Sequence, residues 1–542
     1  MTGATSPFSP LSQKAFRSIW IASLASSLGG IIQSVGAAWL MTSIATSVDM
    51  VALVQASTSL PIMIFSLMSG AIADNFDRRR VMLTAQLFMF VVSALLTLFA
   101  YFGMITPWLL LTFTFLIGCG TALNNPSWQA AVGDMVPRAE ISSAVLLNSI
   151  GFNLTRSVGP AIGGVIVAAL GPAVSFAVNT VSYVAPMIAI ARWKPDVKPP
   201  SLPRESFRSA VPAGLRYVAM SPNIEKVLVR SFVFGFTAIS ILALLPLIVR
   251  DLLQGGPLVY GFMLGAYGVG AIGGALISGP IREKLSTEWV VRCAFLGFTI
   301  CACVAATSTT PLLTGPALLI GGASWVMALS LFNVTVQLST PRWVVGRALA
   351  IYQTATFGGM AIGAWVWGLL ADAYGTDASL LISSVVMMFG AVIGVWLTLP
   401  TQTLLNLDPL NRWKEPDVAL DIQPRSGPIL ITIEYKIRQE DTNAFLDIMA
   451  ERRRMRRRDG ARQWTLSRDL ANPQSWIESY HTATWVEYVR HNQRVTHADS
   501  VHLDRLRQLH SGDEPPRVRR MIERPTNWAE LAAAPKPTID IH

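Results

Sequence analysis

Up to Pro400 the chain contains twelve apolar stretches, each long enough to cross a lipid bilayer as a helix. A bilayer core about 30 Å thick requires about 20 apolar residues in helical conformation. We therefore predict an all-α membrane protein of twelve transmembrane helices in two six-helix bundles, followed by a C-terminal α+β domain. The predicted helices lie near residues 15–45, 50–73, 81–102, 107–133, 141–170, 173–193, 224–249, 257–281, 287–308, 311–336, 344–372 and 377–399.

Charged residues divide the chain into two parts. Only 14% of all residues are charged, against about 25% in an average soluble domain. Residues 1–400 carry 21 Lys/Arg and 13 Asp/Glu, whereas residues 401–542 carry 22 and 20. We expect membrane-embedded sequence up to residue 400. A linker over 401–427, a folded domain over 428–525 and a polar tail over 526–542 should follow.

Basic residues in the short loops predict the orientation of the helices. Loops after odd-numbered helices contain essentially Arg250 alone. Cytoplasmic loops are enriched in Lys and Arg, so both termini are expected in the cytoplasm. This bias also accounts for part of the net charge of +10 without a nucleic-acid partner, and none is expected. The loops after even-numbered helices hold Arg78, Arg79, Arg80, Arg138, Arg192, Lys194, Lys198, Arg204, Arg208, Arg282, Lys284 and Arg342.

The longest connection between helices, residues 195–222, is rich in proline. It separates a first bundle (1–194) from a second (223–400). A transporter built from two bundles requires such a flexible bridge, because one bundle rocks against the other during alternating access. A shift of 204 residues also aligns the two parts, for example Gly159 with Gly363, as a duplicated six-helix unit would.

The second helix ends in a motif of a glycine, an aspartate four residues later and a run of arginines: Gly70, Asp74, Arg78, Arg79 and Arg80. It resembles the loop between helices 2 and 3 of the major facilitator superfamily, and this resemblance covers residues 15–400. It implies that Asp74 latches one conformation against the facing bundle, with the arginines holding it. An aspartate at a membrane boundary is costly unless paired. Plain positive-inside topology is the alternative role for the arginines.

Helix 5 contains Arg156-Ser-Val-Gly159-Pro160-Ala-Ile-Gly163-Gly164. Gly159 and Gly163 form a small-residue face that lets two helices touch, and Pro160 removes a backbone hydrogen bond. The segment resembles the Gly-Pro signature in helix 5 of facilitator-superfamily exporters, which favours export over uptake. Ordinary tight packing remains an alternative.

Arg156 is the charge most deeply placed in the predicted spans. A charge in mid-membrane is costly unless it faces a cavity or a partner. We expect Arg156 to face the substrate cavity; a structural ion pair, or a position nearer the surface, is the alternative. The polar residues predicted to share the cavity are Gln33, Asn148, Asn153, Asn333 and Gln353.

Proton coupling normally requires a titratable group inside the bundle, and no carboxylate lies deep in a predicted span. Asp134 is the best candidate for a proton carrier. The chain lacks the G-x-x-x-x-G-K-[ST] loop that binds nucleotide phosphates, which disfavours ATP as the driving force. The four cysteines show no metal-ligand spacing, and we expect neither cofactor nor metal.

After the linker, strand and helix patterns alternate in the order βαββαβ, which is typical of a ferredoxin-like fold. The stretch from Trp476 to Trp485, followed by His491 and His497, resembles the antibiotic-biosynthesis-monooxygenase group of dimeric α+β barrels. That resemblance implies a homodimer formed through the sheets. We favour a dimerising or regulatory module, and an enzymatic tail stays open.

The whole chain resembles bacterial facilitator-superfamily exporters of the enterobactin-exporter type. The resemblance implies a non-enzymatic transporter of the bacterial plasma membrane. It would export a small organic molecule, such as a drug-like metabolite or a siderophore, in exchange for protons. Two alternatives stay open: a degenerate transporter that serves as a sensor or scaffold through its tail, and a membrane-anchored oxygenase.

Overall fold

The computed structural model describes residues 8–137, 140–194, 207–341, 343–400 and 413–524, together with Leu407 and Leu410. For residues 70, 71, 73–75, 142, 153, 207–210 and 501 it describes the backbone alone. The described chain forms two compact units. The first comprises residues 8–211, 222–338 and 345–403, and the second comprises residues 212–221, 339–344 and 404–524, each within the described ranges.

Among the described residues, twelve spans are long and apolar enough to cross a membrane, which confirms the predicted number. The first six are built from α1 (Lys14–Ile44), α2 (Asp49–Asn75), α3 (Arg78–Tyr101), α4 (Pro107–Met135), α5 (Ile141–Leu170) and the pair α6 (Pro172–Ser182) and α7 (Val184–Arg192). A separate helix, α8 (Phe207–Ala219), lies between the two halves in the sequence.

The second half begins with α9 (Pro222–Leu247), which continues as a π-helical turn over Ile248–Leu252. The twelfth span ends at Ile393, six residues before the predicted boundary, because Gly394 begins a series of tight turns. The other helices of this half are α10 (Pro257–Lys284), α11 (Thr287–Thr307), α12 (Pro311–Leu338), α13 (Val345–Tyr374) and α14 (Thr376–Ile393).

The ends of these helices follow from local sequence. Asp77 caps α3 by accepting from the backbone N–H of Arg79, and Ser286 caps α11 through the N–H of Trp289. Such caps satisfy backbone donors that the first helical turn leaves free. Large apolar side chains such as Leu312 and Trp396 are exposed on the outside of the bundle. This pattern is typical of helices whose solvent is lipid.

Two helix pairs make the most extensive contacts between the halves. α2 packs on α13, and α5 packs on α10. We call the end of the first unit that carries Arg78, Arg192 and Arg282 the basic end. At the opposite end, Arg250 Nη1 donates to the carbonyl oxygen of Thr42 at 2.7 Å, and Asp372 accepts from the N–H of Val48 at 2.9 Å.

The second unit is built on a four-stranded antiparallel sheet in the order β2-β3-β1-β4. Helices lie between β1 and β2 and between β3 and β4 in the sequence, which is the predicted βαββαβ arrangement. The strands are β1 (Ile429–Lys436), β2 (Arg462–Arg468), β3 (Ser475–Thr482) and β4 (Arg517–Ile522), and the helices are α15 (Thr442–Arg458), α16 (Trp485–Gln493) and α17 (His497–Leu509).

One face of this sheet carries the core of the tail. Alternate residues of β1, including Ile431 and Tyr435, are buried against Phe445 of α15 and Tyr488 of α16. Because side chains alternate along a strand, the intervening residues point to the other face. That face includes the exposed side chain of Ile477.

Candidate functional site

Arg156 of α5 lies beside an aromatic cluster of the other half. Its guanidinium carbon is 5.8 Å from the ring centre of Trp325 on α12. The ring of Tyr267 on α10 lies edge-on to Trp325 at 6.3 Å. The Tyr267 hydroxyl is buried and forms no hydrogen bond within the described part of the chain. A cation, an indole ring and a buried hydroxyl thus lie close together between the halves.

Glycines bring α5 and α10 into backbone contact directly beside Arg156. A Cβ atom added to Gly261 would lie 2.7 Å from the Gly164 Cα atom and from the Pro160 carbonyl oxygen. One added to Gly268 would lie 2.7 Å from the Arg156 carbonyl oxygen. Real Cβ atoms do not approach that closely, so only glycine allows this crossing of the two halves.

The predicted small-residue face of α5 packs within its own half. A Cβ atom on Gly159 would meet Ile31 at 2.8 Å, and one on Gly163 would meet Val35 at 3.1 Å. Both neighbours belong to α1. Gly159 and Gly163 therefore face α1, whereas Gly164 faces α10. The helix with Arg156 is held closely on two sides.

The other predicted cavity residues are spread through the bundle. Gln33 is 4% exposed, and its oxygen accepts from Asn179 Nδ2 at 2.6 Å and from Ser93 Oγ at 3.0 Å. It thus belongs to a buried polar cluster between α1, α3 and α6. The side chain of Asn153 lies outside the described residues. Three half-buried residues are Asn148 on α5, Asn333 on α12, which accepts from Gln337, and Gln353 on α13.

Two arginines of the predicted latch hold the first half together. Arg78 Nη1 donates to Asp134 at 2.7 Å, which joins the start of α3 to the end of α4. Arg79 donates to the carbonyl oxygens of Ile190 and Ala191 in the last turn of α7. A cation is favourable there, because the final carbonyls of a helix carry a partial negative charge.

Only the backbone of Gly70 and Asp74 is described, but it fixes the register of α2 against α13. The backbone N–H of Val48 donates to Asp372, and the hydroxyls of Ser66 and Thr354 form a hydrogen bond at 2.7 Å. The two helices run antiparallel. Ser66 lies about two turns before the end of α2. In the same register, the last turn of α2 lies level with the first turn of α13, which contains Arg347.

A buried ion pair in the second half was missed by the sequence analysis. Arg230 of α9 donates to Glu288 of α11 at 3.0 Å. Glu288 also accepts from Arg292 and from the backbone N–H of Leu399. Arg230 and Glu288 are 58 positions apart, so no local motif marks the pair. Each residue lies near the start of its helix, where a charge is common, so the sequence carried little signal of the pair.

Comparison with known proteins places this arrangement in a family. The family model described as transmembrane secretion effector matches residues 5–526, which include both units. The chain belongs to the transmembrane secretion effector family of the major facilitator superfamily.

Individual relatives are distant. The chain is 25% identical over 253 residues to the staphyloferrin A transporter of Staphylococcus aureus, and this match covers 46% of the chain and 63% of the relative. It is 25% identical over 393 residues to the multidrug efflux pump Tap of Mycolicibacterium fortuitum, covering 70% of the chain and 94% of the relative.

Solved structures share the fold at low identity. A POT family transporter in complex with 5-aminolevulinic acid matches with a TM-score of 0.59 at 11% identity, covering 71% of this chain and 96% of that one. A bacterial homolog of the human lysosomal transporter Spinster, inward-facing and occupied, matches with 0.58 at 12%, covering 73% and 98%. The family match and the twelve spans identify a multi-pass membrane transporter, and transporters of this family are not enzymes.

Proposed function

We propose that the protein exports a small organic molecule, a drug-like metabolite or a siderophore, across the bacterial plasma membrane. The observation that carries the proposal is the cluster of Arg156, Trp325 and Tyr267 where the two halves meet. Its chemistry suits a ligand with an aromatic or apolar body and a polar or anionic group. The similarity to a staphyloferrin A transporter and to a multidrug efflux pump supports the same substrate range.

Exchange for protons is the proposed driving force. Asp134 and Arg78 are both about one third exposed, so water can reach the carboxylate. Protonation of Asp134 would remove its attraction for Arg78 and loosen the contact between α3 and α4. The proton would thereby act at the basic end of the first half, next to the Asp74 loop.

The latch is proposed to act between α2 and α13. Asp74 would face the positive N-terminus of α13, where Arg347 adds a full charge. An anion at that point stabilises the conformation in which α2 and α13 are aligned. The basic end would face the cytoplasm, in accord with the Lys and Arg bias of its loops.

Transport into inverted membrane vesicles tests the proposal. Vesicles with the wild-type protein should accumulate at least one compound from a panel of fluorescent drugs and siderophores, and nigericin should abolish accumulation by collapsing the pH gradient. Arg156→Ala and Trp325→Leu should reduce the rate roughly tenfold, since a desolvated cation–π contact is worth about 1–2 kcal/mol. Arg156→Lys should retain part of the activity.

Trp365→Leu is the matched control, because Trp365 is 52% exposed on the outer surface of α13. It should leave transport unchanged. Asp134→Asn and Asp74→Asn should uncouple or slow transport. If wild-type vesicles accumulate no compound of the panel, the export proposal is wrong and a sensor role becomes the better hypothesis.

We further propose that the tail pairs with a second copy through the free face of its sheet. Ile477 of β3 and Met521 of β4 are exposed there, beside half-buried Leu430 of β1. Exposed apolar residues on one sheet face are typical of an interface. A second copy presents the same residues, so the contact can be symmetric.

A further inference from the structure

The second unit contains a cavity of about 210 Å³ between α15, α16, α17 and the chain segment before β1. Its walls include the apolar side chains of Trp413, Met455 and Leu503. Its polar wall includes Arg456 and His491. The volume is somewhat below the range of about 300–1,000 Å³ for drug-sized ligands, so it fits a smaller molecule, such as one with a single aromatic ring.

The polar wall of this cavity is held rigidly. Arg456 Nη1 donates to His491 Nε2 at 2.7 Å, and the other ring nitrogen of His491 donates to the Asp459 carbonyl oxygen at 3.3 Å. Burial and the charge of Arg456 lower the pKa of His491 well below 6.5. The imidazole is therefore neutral, and it orients Arg456 without competing for an anion.

Arginines contribute positive charge to the cavity wall. Arg452 holds Glu478 at 2.8 Å, whereas Arg456 contacts the same carboxylate at only 3.3 Å. Arg507 is 71% exposed, with Asp504 at 3.7 Å as a weak partner. An aromatic carboxylate could place its ring against Trp413 and its charge near Arg456 and Arg507, because arginine binds carboxylates in a fixed fork geometry.

The same cavity wall is connected to α8. Asp459 and Asp499 line the cavity, and they bind Arg458 at 3.0 Å and 3.3 Å. The guanidinium of Arg458 lies 5.3 Å from the ring centre of Tyr217 on α8. Arg216 of α8 also donates to the Arg458 carbonyl oxygen at 3.3 Å. A carboxylate ligand near either aspartate would repel it, and would thereby change the position of Arg458 on Tyr217.

A second connection leads to the segment before α13. Arg494 donates to the Asp459 carbonyl oxygen and lies 3.9 Å over the ring of Trp343. Trp343 in turn meets Tyr217 edge to face at 5.7 Å. Along the chain, Tyr217 lies five residues before α9 begins, and Trp343 lies two residues before α13 begins. α13 is the helix that packs across the halves on α2.

We propose that the tail cavity is a regulatory site for a small aromatic carboxylate, and that its occupancy is transmitted through Arg458 and Arg494 to the starts of α9 and α13. The proposal goes beyond the export function, since binding to the tail can be measured whether or not a transported substrate is known. It also gives the tail a role besides pairing.

Isothermal titration calorimetry of the purified full-length protein tests the site, with salicylate, benzoate and indole-3-acetate as probes. At least one carboxylate should bind, and its neutral amide should bind at least tenfold more weakly. Arg456→Met and the cavity-filling Leu503→Trp should each weaken binding more than tenfold. Arg457→Ala, an exposed neighbour on α15, should not. No binding of any probe at millimolar concentration, or equal binding by all variants, overturns the proposal.

Hydrogen exchange tests the connection without a transport assay. The bound carboxylate should change amide exchange in peptides that cover the starts of α9 and α13. Tyr217→Leu and Trp343→Leu should keep the carboxylate affinity within about threefold but abolish that change. If the carboxylate binds and exchange in those peptides is unaffected in the wild type, the cavity is a ligand site without the proposed connection. Failure of export in vesicles leaves both measurements standing.

Discussion

Arg230 and Glu288 form an ion pair at 3.0 Å in which both side chains are less than a tenth exposed. The pair joins α9 to α11. The backbone N–H of Leu399, which follows the last span, donates to the carboxylate of Glu288 as well. It thus joins three segments of the second half at its basic end. A buried pair of this kind is costly to break, because the remaining partner is left as an unpaired charge.

Glu288→Gln should therefore destabilise the protein by about 3–5 kcal/mol. Thermal unfolding of the detergent-solubilised protein would measure the loss. Glu283→Gln, at an exposed position near the end of the preceding helix α10, is the control and should have no effect. A Glu288→Met, Arg230→Met double variant should recover most of the stability; equal losses in the single and double variants would show that the charge pairing is not the cause.

Gly261→Ala should disrupt the crossing of α5 and α10, since the added Cβ would meet backbone atoms at 2.7 Å. Overpacking of this kind costs about 1–3 kcal/mol. The expected result is a lower unfolding temperature together with slower transport. Gly273→Ala on the same helix has open space around it and should behave like wild type. Wild-type stability and transport in Gly261→Ala would contradict the close crossing.

The tail should lose stability as the pH falls below about 6.5. The folded pKa of His491 lies well below that value, because of burial and the charges of Arg456, Arg494 and Arg452. A histidine in the unfolded chain titrates near pH 6.5. Below that pH the unfolded chain binds a proton that the folded chain does not bind, so the folded state loses the stability that it has at higher pH. The expected slope approaches about 1.4 kcal/mol per pH unit.

Thermolysin cleavage within the tail of the full-length protein, compared at pH 7.5 and 5.5, would measure this loss. His491→Gln should remove most of the pH dependence, because glutamine does not titrate. The exposed His497→Gln variant should retain it. A pH dependence that is unchanged in His491→Gln would assign the effect to another group.

Pairing of the tail predicts that Ile477→Glu or Met521→Glu weakens a dimer at least tenfold, because each places a charge in an apolar contact. Mass photometry of the solubilised protein measures the ratio of monomer to dimer. Leu420→Glu, at a position 61% exposed and outside the sheet, is the matched control. A wild-type protein that is monomeric at micromolar concentration would refute pairing through this face.

The number of spans and the βαββαβ order of the tail were readable from the sequence, because both depend on local properties. A helix that crosses a bilayer must satisfy its own backbone and present apolar side chains over a known length. Strands and helices of the tail likewise show their characteristic periods. The Asp74 loop and the Gly159–Gly163 segment also follow from local patterns.

Partners distant in the sequence could not be read in this way. Arg156 was predicted to face a cavity, but the pattern contains nothing that selects Trp325 and Tyr267 as its neighbours. Gln33, considered as a cavity residue, has its oxygen bound by Asn179 and Ser93 instead. Asp134, the predicted proton carrier, pairs with Arg78, which lies 56 positions away in the sequence. These pairs depend on how the helices pack and rotate.

The lengths of the apolar stretches and the distribution of charges along the chain are thus sufficient to predict a twelve-span membrane protein with a folded tail. The reason is that the membrane imposes its requirements on each helix separately. The pairing of Arg230 with Glu288, the contact of Gly164 with Gly261 and the cavity beside Arg456 exist only in the packed molecule. Each requires residues from different elements to meet within a few ångströms. These contacts are determined by the close packing of the elements and not by the spacing of residues in the sequence.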